Sequence, residues 1–410
     1  MPFQNDDVNR RTALKAGTGG ALTTLLTQQN SLATETTLPL PDVYQTLGIG
    51  TIINAAGTIT TLGGSLMPPE ILAAWLAAAQ SFVSLIELQD RVGEKIAQRL
   101  GVEAALVTTG AAGGILVGTA AAVTYRDHAL VGRLPLPGEM DQQVIRQTSH
   151  RQCYDHQVEM CGVRLVDVET REELEQAINE NTVMMFSYNV QEGESRIPQR
   201  QWLEIAKKHK IPTLLDAAAD TPPLEALWKY NQMGYDLVVF SGGKAMRGPQ
   251  DAGLLLGRKD LIEAAKLNTA PRCGNIGRAL KVSKEDMVAM WAAVERFVSL
   301  DHEAQQQEWQ QRIATIEKLV TTVPTVQTQT IVPPIANQVP HLLVFWNEQR
   351  VRITRQEVKQ QLAGGEPSIV TTRVHGTGSE GFLISVFMLE PNEEVVVGTR
   401  LQQILQQALT

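Results

Sequence analysis

The sequence predicts an α/β fold: a large domain built on a mainly parallel central sheet, followed by a smaller C-terminal α+β domain. Three observations point there. Short, nearly all-apolar runs recur between residues 105 and 256 with helical stretches between them, as buried parallel strands with crossover helices require. Residues 283–320 are long, helical in pattern and rich in Gln, Glu and Ala, with no strand signal. Shorter candidate strands and one closing helix come after that stretch.

In chain order, residues 1–33 stand apart. Asn9-Arg10-Arg11-Thr12-Ala13-Leu14-Lys15 precedes a weakly apolar run, Ala16 to Leu26, and the small-residue segment Ser31-Leu32-Ala33. This is similar to a bacterial twin-arginine export signal, although Ala13 holds the usual aromatic position; a plain N-terminal tail is the alternative. A real leader implies a periplasmic or otherwise exported protein, folded before transport, and without it the chain is cytoplasmic. Leu38-Pro39-Leu40-Pro41 reads as a linker, and Ile52 to Asn54 as an extended segment opening the globular part. Pro68 to Ala79 has prolines at a helix start, and Glu94 to Leu100 runs into Gly101 as a helix stop. Strands are expected at Ala105–Thr108, Gly162–Val168, Val183–Ser187, Thr213–Leu215, Leu237–Phe240 and Leu254–Leu256, with helices at Arg171–Ile178 and Gln201–His209 among them. The large domain, with its N-terminal segment, is expected over 34–280. The span 281–410 holds a helical spine, strands at His341–Trp346, Ile369–Val374 and Phe382–Val386, and a helix from Glu393 to Leu409.

The 410 residues, 43% hydrophobic and 20% charged, suffice for a large core. A formal charge of −8 with no basic tract argues against a nucleic-acid surface. Three cysteines, Cys153, Cys161 and Cys273, make no disulfide framework. No segment offers the ~20 apolar residues that a membrane span needs.

Four features carry chemistry. In Asp236-Leu237-Val238-Val239-Phe240-Ser241-Gly242-Gly243-Lys244, an apolar strand leaves into a glycine turn that presents one lysine. A lysine so desolvated has a lowered proton affinity and attacks aldehydes to form an imine. A nucleotide-binding P-loop is excluded, because the glycine spacing is wrong and Ala245 stands where Ser or Thr would hold magnesium. Upstream, Leu214-Leu215-Asp216-Ala217-Ala218 ends a buried strand on an acid. Such an acid either caps the next helix or meets a positive partner, and the protonated pyridine nitrogen of pyridoxal phosphate is one such partner. Val107-Thr108-Thr109-Gly110-Ala111-Ala112 is a strand followed by small residues opening a helix, where free backbone N–H groups suit a phosphate, with the Ser241 hydroxyl as a further donor. Finally, Ser149-His150-Arg151-Gln152-Cys153-Tyr154-Asp155-His156 offers an imidazole to stack on a pyridine ring. A structural histidine is the plain alternative, and a metal site of His150, Cys153, Asp155 and His156 lacks a matching second cluster.

With these features in order, the chain resembles fold-type-I (aminotransferase-like) pyridoxal-phosphate enzymes of the group around bacterial selenocysteine synthase and D-glucosaminate-6-phosphate ammonia-lyase. The resemblance rests on Ile53-Asn54-Ala55-Ala56-Gly57-Thr58, Leu62-Gly63-Gly64-Ser65, Thr109-Gly110-Ala111-Ala112, Asp216-Ala217-Ala218, Ser241-Gly242-Gly243-Lys244, Arg247-Gly248-Pro249-Gln250 and Gly277-Arg278-Ala279-Leu280-Lys281-Val282. It implies that Lys244 carries pyridoxal 5'-phosphate as a Schiff base and that Asp216, backed by Ala218, partners the pyridine nitrogen. Thr109, Gly110, Ala111 and Ser241 then hold the phosphate, His150 stacks on the ring, and Arg373 grips a substrate carboxylate. It also implies a homodimer or larger homo-oligomer acting on a small amino-acid-like molecule. The ammonia-lyase branch is the nearer, which makes α,β-elimination on an amino acid or amino-sugar acid the expected reaction. Selenocysteine synthases carry an N-terminal tRNA-binding domain where this sequence has a short leader-like stretch, so tRNA-dependent selenium transfer is the lesser alternative. A non-catalytic exported binding protein is the other.

Overall fold

The computed structural model describes residues 43–136, 140–372 and 381–410. Val43–Thr46 forms a short helix, α1, in the first unit; Ile52–Thr410 is a second, compact unit. This second unit begins with β1 (Ile52–Ala55), α2 (Pro69–Ala79), α3 (Leu85–Leu100), β2 (Ala104–Thr109) and α4 (Gly110–Thr124). Next come β3 (Gln143–Gln147), α5 (Asp155–Glu159), β4 (Arg164–Val168), α6 (Arg171–Ala177), β5 (Thr182–Tyr188), α7 (Gln199–His209) and β6 (Thr213–Asp216). They are followed by α8 (Ala226–Met233), β7 (Leu237–Ser241), β8 (Ala252–Gly257), α9 (Lys259–Leu267), α10 (Lys284–Ser299) and α11 (His302–Val320). The chain closes with β9 (Gln327–Ile331), β10 (His341–Phe345), α12 (Arg355–Ala363), β11 (Ser368–Thr371), β12 (Phe382–Ser385) and α13 (Glu393–Gln407).

Seven strands form the central sheet in the order β2-β8-β7-β6-β5-β3-β4. Only β8 runs against its neighbours, so the expected mainly parallel sheet is present. Its strands are buried almost throughout, which is why they read as unbroken apolar runs. One core packs α4 and α9 against Leu214, Val239 and Leu255; the other gathers α2, α3, α7 and α10 around Leu215, Val238 and Leu254. A second layer holds β12-β10-β9, antiparallel, beside the parallel pair β1 and β11. The segment that opens the globular part therefore pairs with a strand from the C-terminal region.

The structure departs from the sequence expectations in two instructive places. The stretch 283–320 is two helices, because Asp301 leaves the helical path and accepts from Ala304 N, capping α11. Strand β3 carries no apolar signature, yet all five of its residues are buried. Its Arg146 is matched by Asp155 and Asp167, and the Gln147 amide bonds both the N–H and the carbonyl of Ile197.

Candidate active site

The strand register brings the quoted motifs to one edge of the sheet. Thr109 pairs with Ala252, Gly253 with Ser241, and Asp216 with Val239, so β2, β6 and β7 all end there beside the head of α4. Ligands of open α/β sheets sit outside such carboxyl ends. A Cβ on Gly253 would lie 2.5 Å from the Gly110 carbonyl carbon and 2.8 Å from Ala111 N. Only glycine lets the α4 head approach β8 that closely.

Lys244 sits in a turn closed on itself between β7 and β8. Gly242 N donates to Ala252 O, Arg247 N to Lys244 O and Gly248 N to Gly242 O, all at 2.9 Å. Gln250 Nε2 and Arg247 Nε tie the turn to Thr60 O and Leu66 O. Burial lowers the proton affinity of the Lys244 amine, and Asp216 and Asp220 act on it in the opposite direction. Asp216 is 8% exposed, and burial pushes its carboxyl up to about 6, against the pull of the Ala218 N–H and the Lys244 charge. Ala218 N donates to Asp216 Oδ1 at 2.8 Å, while Ala218 O takes the N–H of Ser241 and so joins β6 to β7. No second hydrogen bond from the described residues reaches Asp216 Oδ2. The helix-cap alternative fails, since α8 begins only at Ala226.

These residues fit pyridoxal phosphate. The head of α4 has no side-chain cap, a Cβ at Gly110 would meet nothing within 4 Å, and the neighbouring Thr109 Oγ1 is buried without a partner. Free N–H groups, an unpaired hydroxyl and room beside them suit a phosphate. Lys244 and Asp216, with its unused oxygen, stand at the same sheet edge.

His150 does not have the geometry of a stacking residue. It is fully buried; its Nδ1 accepts from Tyr188 N at 3.0 Å and its Nε2 lies 2.7 Å from Ser195 Oγ. A ring with no exposed face and both nitrogens committed to the protein offers nothing to a pyridine ring. Burial and the Arg146 charge hold its pKa down, at about 4. The residue that sequence reasoning passed over is Tyr154. It is 45% exposed, and burial, with the charges of Cys153 and Asp216, raises its phenol pKa. Asp155 fixes the loop beneath it, accepting from Gln152 N and Tyr188 OH and pairing with Arg146. Asp220 was also passed over, though it lies four residues past Asp216 on the same loop. Arg373 lies outside the described residues.

The chain matches the L-seryl-tRNA selenium transferase family over residues 52–329, more than half its length. It belongs to that family. Similar proteins include the D-glucosaminate-6-phosphate ammonia lyase of Salmonella typhimurium, 29% identical over 90% of this chain and 99% of the relative. A 5'-C-glycyluridine monooxygenase-decarboxylase from Streptomyces is 26% identical over 88% and 92%. The L-seryl-tRNA(Sec) selenium transferase of Moorella thermoacetica is 22% identical over 83% and 74%. Among solved structures, a D-glucosaminate-6-phosphate ammonia-lyase superposes with a TM-score of 0.76 at 27% identity, over 90% of this chain and 99% of that one. A Sphingomonas wittichii serine palmitoyltransferase, TM-score 0.54 at 13% identity over 87% and 88%, shares the fold alone. The fold is the aminotransferase-like fold type I, and the protein is a pyridoxal-phosphate-dependent lyase or transferase.

Proposed function

We propose that this enzyme releases ammonia from a 3-hydroxy-2-amino acid or amino-sugar acid by α,β-elimination. The observation that carries the reading is the placing of Lys244 and Asp216 at the sheet edge that also holds the uncapped head of α4. Bound pyridoxal phosphate supplies an electron sink for charge developing at the substrate Cα. Lys244 would anchor the cofactor and is the base placed to take the substrate Cα proton. Asp216 would present its free oxygen to the pyridine N–H, and its burial would strengthen that ion pair. The N–H groups of Gly110 and Ala111, with the Thr109 and Ser241 hydroxyls, hold the phosphate. Tyr154 covers the ring, the role the sequence had suggested for His150, and Arg373 is kept for the substrate carboxylate. Overall, the Cα proton and β-hydroxyl leave as water, and hydrolysis of the resulting enamine consumes a water and gives a 2-oxo acid and ammonia.

The test is direct. Reconstitution with pyridoxal phosphate should give visible absorbance that Lys244→Ala abolishes, and a screen of hydroxyamino acids and 2-amino-2-deoxyaldonic acids should yield 2-oxo acid and ammonia together. A loaded enzyme that releases neither sinks the elimination. Selenium transfer to seryl-tRNA is the second reading, favoured by the family match over residues 52–329. Selenocysteine formation on the charged tRNA would establish it. A wild type that takes up no cofactor would favour a non-catalytic binding protein.

The enzyme is proposed to work as a homodimer or larger homo-oligomer. Leu72, Leu76, Phe82, Val83 and Ile86, all between residues 72 and 86, are exposed, apolar surface that a second copy would cover. Light scattering that returns a monomer at micromolar concentration refutes this. Export through the twin-arginine machinery remains the reading of residues 1–33. Arg10→Lys with Arg11→Lys should retain the protein in the cytoplasm, and unchanged distribution removes the leader. Among the described residues, no helix is long and apolar enough to cross a membrane.

A further inference from the structure

A cavity of about 600 Å³ holds polar groups that the fold leaves unanswered. Its walls come from the segment after β1, the loop after β9, and strands β10, β11 and β12. Two contacts place it against the candidate active site. Asn337 N donates to Ala219 O at 2.7 Å, and Ala219 is three residues past Asp216, a span of at most about 11 Å. On the other side, Ile59 O accepts from Gly64 N, and the adjoining Thr60 O accepts from Gln250 Nε2 in the Lys244 turn.

Most of the lining is hydrocarbon, including Ile59, Val190, Ile335, Leu383 and Phe387. Three polar groups interrupt it. The hydroxyl of Thr371, a residue 6% exposed, and the amide oxygen of Asn337 are buried with no hydrogen-bond partner. The third is the imidazole of His341. Its Nδ1 lies 2.7 Å from Val339 O, and a carbonyl only accepts, so Nδ1 carries the proton. Burial, against the pull of the Val339 carbonyl, holds the ring below its ordinary pKa and keeps it neutral. Nε2 is therefore a bare acceptor, and no hydrogen bond from the described residues reaches it. Lys359, the one lysine or arginine among the described residues of the lining, donates to Thr372 O. Buried polar atoms without partners cost stability, and here they line a space of ligand size.

We infer that this cavity receives the part of the substrate beyond Cβ and selects an uncharged, hydroxylated chain, that of a 2-amino-2-deoxyaldonic acid without a phosphate. The inference rests on the elimination reading above and narrows it. Substrate hydroxyls donate to His341 Nε2 and Asn337 Oδ1 and share a hydrogen bond with Thr371 Oγ1. Ionised phosphate oxygens only accept, so they would leave both acceptors unpaired, and a plain hydrocarbon tail would leave all three groups unpaired.

The experiment is calorimetric titration of the full chain loaded with pyridoxal phosphate, using D-gluconate and 6-phospho-D-gluconate, which carry the chain but no amine to react. Gluconate should bind at least tenfold more tightly than its phosphate. Thr371→Val and His341→Asn, the second keeping a donor for Val339 O, should each weaken gluconate about tenfold. Thr371→Val should melt no lower than wild type, because it removes a hydroxyl that the free protein leaves unpaired. Equal or tighter binding of the phosphate, wild-type affinity in both variants, or binding of neither ligand overturns the inference. Gluconate binding as expected without ammonia release from 2-amino-2-deoxygluconate would count against the elimination reading instead, since the titration involves no turnover.

Discussion

Replacing Asp216 by asparagine should stabilise the cofactor-free protein at neutral and alkaline pH while weakening its hold on the cofactor. Burial raises the Asp216 carboxyl from 3.8 to about 6. The folded chain therefore binds more protons than the unfolded one between those values, and the carboxyl's contribution to stability falls as pH rises through about 6. A gap of that size corresponds to about 3 kcal/mol in all, of which about 1.4 kcal/mol is lost between pH 5 and pH 8. Asparagine keeps an oxygen for the Ala218 N–H and carries no charge, so it escapes this loss. Urea unfolding of the two cofactor-free proteins at pH 5 and pH 8 measures the effect. The stability difference, variant minus wild type, should rise by about 1.4 kcal/mol from the lower to the higher pH. Equilibrium dialysis at pH 8 should show weaker pyridoxal phosphate binding by the same variant. A stability difference independent of pH, or one that shrinks on going to pH 8, would refute the account of Asp216 as a carboxylate held ionised for a ligand at a cost to the fold.

Three further outcomes follow from the structure. His150 shows the opposite pH dependence: its folded pKa of about 4 lies below the ordinary 6.5, so its contribution is intact above 6.5 and declines as pH falls toward 4. Between pH 7.5 and pH 5, wild type should lose about 2 kcal/mol more unfolding free energy than His150→Gln, and equal losses would mean the imidazole is not held neutral. At Gly64, φ is +71° and a Cβ would lie 2.7 Å from the Gly243 carbonyl oxygen, so Gly64→Ala should cost about 2–4 kcal/mol and displace the Lys244 turn. Thermal melting and cofactor absorbance read both effects, and a variant with wild-type values for each contradicts the contact. Cys153 and Cys273 are exposed, whereas burial pushes the Cys161 thiol up to about 12. A colorimetric thiol assay at pH 8 should find two reactive thiols in the native protein and the third only in denaturant.

What could be read from the sequence was whatever one strand and its exit turn specify locally. Lys244, Asp216 and the Gly110 turn each follow an apolar run directly, and the parallel register then carries them to one edge. His150 was misread because its neighbours in sequence are not its neighbours in space. Its ring is claimed by Tyr188 N from β5 and by Ser195, and neither contact leaves a mark in the local pattern. The open aromatic ring of that stretch is Tyr154, four residues on. Asp220 was invisible for a related reason: its partners Asn189 and Tyr230 come from segments on either side of it in the chain. Strand β3 escaped notice because polarity in sequence is not polarity in the fold once Arg146 is neutralised by Asp155 and Asp167.

Strand direction also explains why a roomy groove elsewhere on the sheet is not the site. A groove of about 900 Å³ lined by Tyr125, Arg126, Lys207, Lys210, Asp236 and Arg258 lies at the opposite edge of the sheet, where β6 and β7 begin. Its cations invite an anion. Yet α4, α7 and α8 end at Thr124, His209 and Met233, so three helix C-termini converge on this groove and bring their partial negative charge with them. Arg126 Nη2 donates to the Lys210 carbonyl at the end of α7, and Arg258 pairs with Asp236 and Asp260. Arg126 and Arg258 also lie 5.1 and 5.4 Å from the centroid of the Tyr125 ring. The two arginines are thus answered by the protein's own carbonyls, acids and aromatic face. At the other edge the polarity is reversed: the uncapped N–H groups of α4, the free oxygen of Asp216 and the Lys244 amine are groups the protein leaves unanswered. A cofactor bearing a phosphate, a ring nitrogen and an aldehyde answers all three.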